Sequence, residues 1–253
     1  MQGSLRIGCV KYLNARPLIR GWPGAVVLDH PAALCRSLSA GNLDLALVSS
    51  FEFLRNPIYQ IVDNVSIGSD GPVFSVAVAY IGEMAEVEEI ELDPAAETSV
   101  NLLRCLLSES ELNPRFTKKS NTAPSRTRAR LLIGDQAIQF RLEHESEFKF
   151  WDLGEQWKRI FRLPFVYALW LVRPEVANGK EIAKQLRSVR DRNLRDLDRL
   201  ITEQNDPEFC ARYYHEHLRF SFGADEQTGL RLFATLCERE GLIPKREIKF
   251  DLI

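Results

Sequence analysis

The sequence contains no run of about 18 apolar residues, so no membrane-spanning helix is expected. A large excess of charge of either sign is also missing. A formal net charge of −2 offers no long-range pull toward nucleic acid or an anionic membrane, so neither is an expected partner. The basic run from Arg126 to Arg130 has no interleaved aromatics and reads as solvated surface. Met1 to Ser4 carries no charged n-region or long apolar stretch, so no secretory leader is expected. Cys9, Cys35, Cys105, Cys210 and Cys237 are odd in number and form no CxxC pair. They read as reduced, buried thiols of a cytoplasmic protein. Of the four histidines, His215 and His217 are too close in sequence to share a helical face, and no carboxylate motif completes a metal site. G-x-S-x-G, the P-loop and G-x-G-x-x-G are all absent. Metal, nucleotide and covalent-nucleophile chemistry therefore lack their usual signatures, and no cofactor is expected.

What is present is an ordinary globular composition, 45% hydrophobic and 27% charged over 253 residues, enough for one large or two small domains. Leu5–Val10, Ala25–Asp29 and Leu43–Val48 read as strands, with a helix from Pro31 to Gly41 between the second and third. Strand and helix alternating this quickly point to an α/β sheet with right-handed crossovers. The pattern restarts in the middle of the chain. Strands are expected at Pro72–Ile81, Ile90–Leu92, Arg115–Thr117, Leu131–Ile133, Phe148–Leu153 and Phe165–Val172, with a helix near Thr98–Leu107. From Pro174 the texture becomes charged and helical, with Ile182, Leu186, Val189, Leu194, Leu197 and Leu200 forming an apolar stripe. The expectation is a two-lobed α/β protein with a cleft between its two mixed or parallel sheets. Residues 1–79 and 171–253 would form a discontinuous first lobe, and 80–170 the second.

Ligands of open α/β sheets bind beyond the carboxyl ends of the strands, which directs attention to the strand-to-helix junctions. Asn14 follows the first strand and Ser49 the third. Ser66 to Ser75 reads as a glycine-bearing loop containing Gly71 and Pro72. Thr98 and Ser99 stand at a helix start, where free N–H groups and the helix dipole favour an anion. Gly134-Asp135 ends another strand. Each has a structural alternative: Thr98, Ser99, Asp135 or Asn14 would serve as a helix cap, and Gly71-Pro72 as a turn. The stretch from Trp151 to Trp170 reads mostly as core.

Seven of these segments lie in collinear order: G-C-V-K-Y-L-N-A-R-P-L (Gly8–Leu18), G-N-L-D-L-A-L-V-S (Gly41–Ser49), S-D-G-P-V-F-S-V (Ser69–Val76), T-S-V (Thr98–Val100), L-L-I-G-D-Q-A (Leu131–Ala137), D-L-G-x-x-W (Asp152–Trp157) and L-P-F-V-Y-A-L-W (Leu163–Trp170). Together they resemble the chorismate dehydratase family of the futalosine route to menaquinone, whose fold is like the type II periplasmic binding proteins. The resemblance covers roughly residues 5 to 172. It implies a carbon–oxygen lyase that removes water from chorismate to give 3-[(1-carboxyvinyl)oxy]benzoate without a cofactor. It further implies that Asn14 and Ser75 lie at the reacting centre and that Thr98-Ser99 receives a substrate carboxylate. Ser49, Gly71, Pro72 and Asp135 would line the pocket. Two departures stand out: the family often has T-G where Phe161-Arg162 precede L-P-F, and a serine where Ala96 stands. A non-catalytic binding protein for a small carboxylate is one alternative. The sister enzyme that forms dihydroxynaphthoate is another, disfavoured by the Tyr12-Leu13-Asn14 opening.

Overall fold

A computed structural model describes residues 5–92, 96–118 and 124–253. The leader expectation for Met1 to Ser4 lies outside the described residues. The chain opens with β1 (Ile7–Val10), a short helix α1 (Arg16–Ile19), β2 (Val26–Asp29), α2 (Pro31–Ser39), β3 (Leu45–Ser49), α3 (Ser50–Arg55) and β4 (Gln60–Ser69). It continues through β5 (Val76–Tyr80), β6 (Glu89–Leu92), α4 (Glu97–Glu109), β7 (Arg115–Lys118), β8 (Arg128–Ile133), α5 (Gly134–His144), β9 (Lys149–Asp152) and α6 (Leu153–Phe161). Then come β10 (Phe165–Val172), α7 (Gly179–Arg195), α8 (Leu197–Thr202), α9 (Pro207–Arg212), a π-helical turn at Tyr213–His217, and α10 (Ala224–Arg239).

Two five-stranded sheets result, ordered β2-β1-β3-β10-β4 and β7-β6-β8-β5-β9. β1 runs parallel to β2 and β3, while β10 enters antiparallel between β3 and β4. In the second sheet β6 is parallel to β7 and β8, and β5 lies antiparallel between β8 and β9. Every residue of β3 and β10 is buried, as expected of apolar strands covered on both faces. Trp157 of α6, Phe165 of β10 and Phe233 of α10 meet with ring centroids 4.9–6.2 Å apart, docking the C-terminal helix on β10 of the first sheet. No helix among the described residues is long and apolar enough to cross a membrane.

Two expectations need correction. The lobe boundaries at 79/80 and 170/171 fall inside β5 and β10, each of which belongs wholly to one sheet. The chain instead changes sheet in two short connections, residues 70–75 and 162–164. Long apolar strands are legible in sequence, but which sheet they join is decided by pairing partners far away. Ser66 to Ser69, read as loop, form the end of β4. Polar Asp63-Asn64, with Asn64 at φ +57°, interrupts the strand pattern there, and the register against β10 shifts. Each connection also holds a non-glycine residue in the left-handed region, Phe74 at φ +65° and Arg162 at φ +62°.

Candidate active site

Between the sheets lies a cavity of about 70 Å³. Its walls are mainly apolar, with Val10, Ile67, Val73, Ile133 and Tyr167 among the lining residues. Burial pushes the Tyr167 phenol well above its usual pKa, so it stays a neutral hydroxyl. The polar groups come from strand ends of both lobes: Asn14 and Ser49 from the first, and Ser75, Glu97, Thr98 and Ser99 from the connection and the second.

Asn14 sits in a single 3₁₀ turn after β1, and its Oδ1 is buried without a hydrogen-bond partner. A buried unpaired amide oxygen costs free energy unless a ligand completes it, which suits an acceptor held for a substrate. Ser75 has no exposed surface, and its Oγ accepts a 2.7 Å hydrogen bond from the Tyr213 hydroxyl. Its carbonyl accepts from the Gly134 N–H at 2.8 Å, tying the connection to the start of α5.

The tightness of that connection comes from Asp152, 1% exposed. Its Oδ1 accepts from the N–H groups of Val73 (3.0 Å), Gly154 (3.0 Å) and Glu155 (3.1 Å), and so caps α6. Its Oδ2 accepts from the Phe74 N–H at 2.7 Å and from Arg141 at 3.3 Å. The Arg141 guanidinium in turn lies 4.2 Å from the centroid of the Phe74 ring. One carboxylate thus holds the strained Phe74 and, through it, Ser75. The glycine of D-L-G has a matching reason. A Cβ on Gly154 would come within 2.5 Å of the Gly71 carbonyl.

At the start of α4, Ala96 occupies the N-cap position and makes no side-chain cap bond. The first intrahelical bond runs from the Val100 N–H to the Ala96 carbonyl, leaving the N–H groups of Glu97, Thr98 and Ser99 without acceptors inside the helix. Thr98 and Ser99 are therefore not caps. Thr98 Oγ1 is hydrogen-bonded to Ser49 Oγ and accepts from the Phe51 N–H at 3.3 Å, joining the two lobes at the back of the cavity.

Gly71, Pro72 and Asp135 are not among the lining residues. Gly71, at φ +134°, and Pro72 shape the connection, and the Pro72 carbonyl faces His217 Nδ1 at 3.0 Å. Asp135 Oδ1 accepts from the Leu13 N–H at 2.9 Å and latches one lobe to the other. Although this residue stands at an exposed edge, the protein around its carboxyl raises the pKa, against the pull of the Leu13 bond and the Arg16 charge.

Sequence reasoning missed Tyr213, Arg141 and Tyr167 as site residues. Tyr213 and Arg141 lie in helices with no motif. Tyr167 lies within the L-P-F-V-Y-A-L-W segment, which read as core, and Glu97 stands beside Thr98 at the start of α4. Among the described residues one group of possible metal ligands occurs, Cys35, Glu52 and Glu97. Arg55 already fills it, pairing with Glu52 and, at 2.9 Å, with Glu97.

The chain was compared with known proteins. A family model described as menaquinone biosynthesis matches residues 5–239. Chorismate dehydratase from Thermus thermophilus is 28% identical, over 90% of this chain and 93% of that protein. Among solved structures, protein AF1704 from Archaeoglobus fulgidus superposes with a TM-score of 0.71 at 17% identity, covering 94% of this chain and 98% of that one. The alkanesulfonate-binding protein SsuA from Xanthomonas axonopodis pv. citri, bound to MOPS, gives 0.68 at 16% identity, covering 96% and 95%. The architecture is that of the periplasmic binding proteins, and the chain belongs to the menaquinone biosynthesis family.

Proposed function

We propose that this protein is a chorismate dehydratase, a carbon–oxygen lyase that converts chorismate to 3-[(1-carboxyvinyl)oxy]benzoate on the futalosine route to menaquinone. The observation that carries the reading is the convergence of Asn14 and Ser75 in one apolar, interlobe cavity, beside a helix start whose first N–H groups have no acceptor inside the helix. Membership of the menaquinone family and the likeness to the Thermus enzyme support the same substrate.

The chemistry asks little of the protein. Chorismate carries its own leaving hydroxyl, and the loss of water makes a benzene ring. The C–H bond at the ring carbon bearing the enol ether breaks, its electron pair forms the new ring double bond, and the neighbouring hydroxyl departs with a proton as water. The protein's task is to fix the ring and stabilise developing charge. The apolar walls clasp the ring, and the open N–H groups of α4 receive a carboxylate. Ser75 donates to the departing oxygen, and Asn14 Oδ1 accepts from that same hydroxyl. The proton acceptor in this reading is the substrate's own enolpyruvyl carboxylate. Among the described residues Glu97 is the one carboxylate on the lining; its Oε1 is engaged by Arg55, while its Oε2 has no hydrogen-bond partner. Closure of the lobes around the substrate excludes water and strengthens each polar contact.

The test is turnover by wild type, Asn14→Ala and Ser75→Ala, with chorismate followed by chromatography. Both variants are expected to lose about 100-fold or more in kcat, the scale of a lost transition-state donor. Full-rate turnover by both would remove the assignment. Thermal stabilisation by chorismate without turnover in the wild type would indicate a binding protein instead.

A further inference from the structure

The helical tail after β10 holds none of the seven collinear segments, yet one of its side chains hydrogen-bonds directly to Ser75, a proposed reacting-centre residue. The Tyr213 ring is fully buried, stacked on Phe209 at 5.6 Å and 16°, and its hydroxyl donates to Ser75 Oγ at 2.7 Å. Asn14 lines the same cavity, its Oδ1 buried without a hydrogen-bond partner.

Neighbouring residues of the same turn brace the flanking backbone. Tyr214 Oη donates to the Leu13 carbonyl at 2.9 Å, one residue before Asn14. His217 Nδ1 donates to the Pro72 carbonyl at 3.0 Å, and the His217 ring sits 5.5 Å from that of Phe74. Tyr213–His217 is π-helical, a wide turn that recurs at functional sites. Here it sends three polar side chains to two loops that otherwise meet only across the cavity.

A hydroxyl can donate one hydrogen bond while accepting others. With Ser75 Oγ accepting from Tyr213, its own proton is left for another partner. We propose that Tyr213 is a positioning residue that fixes the polarity of the site: its hydroxyl turns the Ser75 proton toward the substrate while leaving Asn14 Oδ1 as the open acceptor. The role rests on the dehydratase reading for its chemistry, and on the hydrogen-bond geometry for its direction.

The test is Tyr213→Phe, which keeps the ring and removes one oxygen, together with Ser75→Ala and the double variant. Tyr213→Phe is expected to lower kcat by about tenfold or more and leave KM within about threefold, the pattern of an interaction made in the transition state. In the Ser75→Ala background it should cost less than about twofold, because Tyr213 acts through Ser75. Wild-type kcat in Tyr213→Phe, or losses that multiply in full in the double variant, would overturn the proposal. Should Tyr213→Phe fold poorly, 3,5-difluorotyrosine at this position restores the hydroxyl. Recovery of kcat to within about threefold of wild type supports positioning, and failure to recover it counts against positioning. Absence of wild-type turnover would sink the dehydratase reading alone. The Tyr213 assignment would then be decided by the Ser75 χ1 rotamer from NMR couplings. A single rotamer in the wild type that becomes averaged in Tyr213→Phe supports it, and an unchanged rotamer overturns it.

Discussion

Replacing Asp152 by Asn tests whether one buried carboxylate holds the connection on which Ser75 depends. The native Oδ1 accepts three backbone N–H groups and Oδ2 accepts the Phe74 N–H and Arg141. An asparagine has one carbonyl oxygen, so its least damaging orientation keeps the three bonds of Oδ1. That places an NH2 group opposite the Phe74 N–H and the Arg141 guanidinium, donor against donor. Leaving such a donor without an acceptor costs about 1–3 kcal/mol, and losing a charged partner for Arg141 adds a similar amount. The sum is about 3 kcal/mol, which for a chain of this size lowers Tm by roughly 6–12 °C. Asp152→Ala also removes the α6 cap and the acceptor for Val73, and should cost about 5 kcal/mol. Thermal unfolding measures the stability, and turnover well below Tm measures the site. Phe74, released from φ +65°, would carry Ser75 out of register with Tyr213, so kcat should fall by about tenfold or more even in the folded variant. A Tm for Asp152→Asn within about 2 °C of wild type, with unchanged kcat, would refute the reasoning.

Three further outcomes follow from local geometry. Arg162 closes α6 in the left-handed conformation that glycine adopts freely, and Ala96 stands at an uncapped N-terminus, so Arg162→Gly and Ala96→Ser should each stabilise by about 1 kcal/mol; a fall in Tm for either contradicts the account. The raised pKa of Asp135 means that folding favours its protonated form. Its contribution is present below the unfolded pKa near 4 and is lost as pH rises through the folded value. Asp135→Asn retains an acceptor for Leu13, so its Tm should match wild type at about pH 4 and exceed it at pH 7; the reverse order would show that the charge stabilises the latch. Glu97→Gln should keep activity within about tenfold, because Glu97 is committed to Arg55; a loss of about a thousandfold with the acid limb of the pH–rate profile abolished would make it the proton acceptor.

The architecture was legible because α/β alternation is a local signal: Leu45 to Val48 and Phe165 to Val172 are apolar without interruption, and Pro31 marks its helix start. The ownership of β5 and β10 was not, since sheet membership depends on partners such as Ser49 and Ile133 that are distant in sequence. In the site, Asn14, Ser49, Ser75, Thr98 and Ser99 were found by their place at strand ends, and all line the cavity. Gly71, Pro72 and Asp135 share that placement but serve the connection and the latch. Periodicity locates a junction but does not say which side of it faces the cleft. Tyr213 carries no motif and reaches Ser75 across 138 positions of sequence, so only the packing of the tail reveals it.

The most direct measurement is to treat the purified protein with a chelator, mix it with chorismate, and follow the products by mass and ultraviolet absorbance. The account predicts a single product lighter than chorismate by one water, with the absorbance of a substituted benzoate, formed at a rate proportional to enzyme. Chorismate recovered unchanged at high enzyme concentration, or consumed to a product of any other mass, would contradict it.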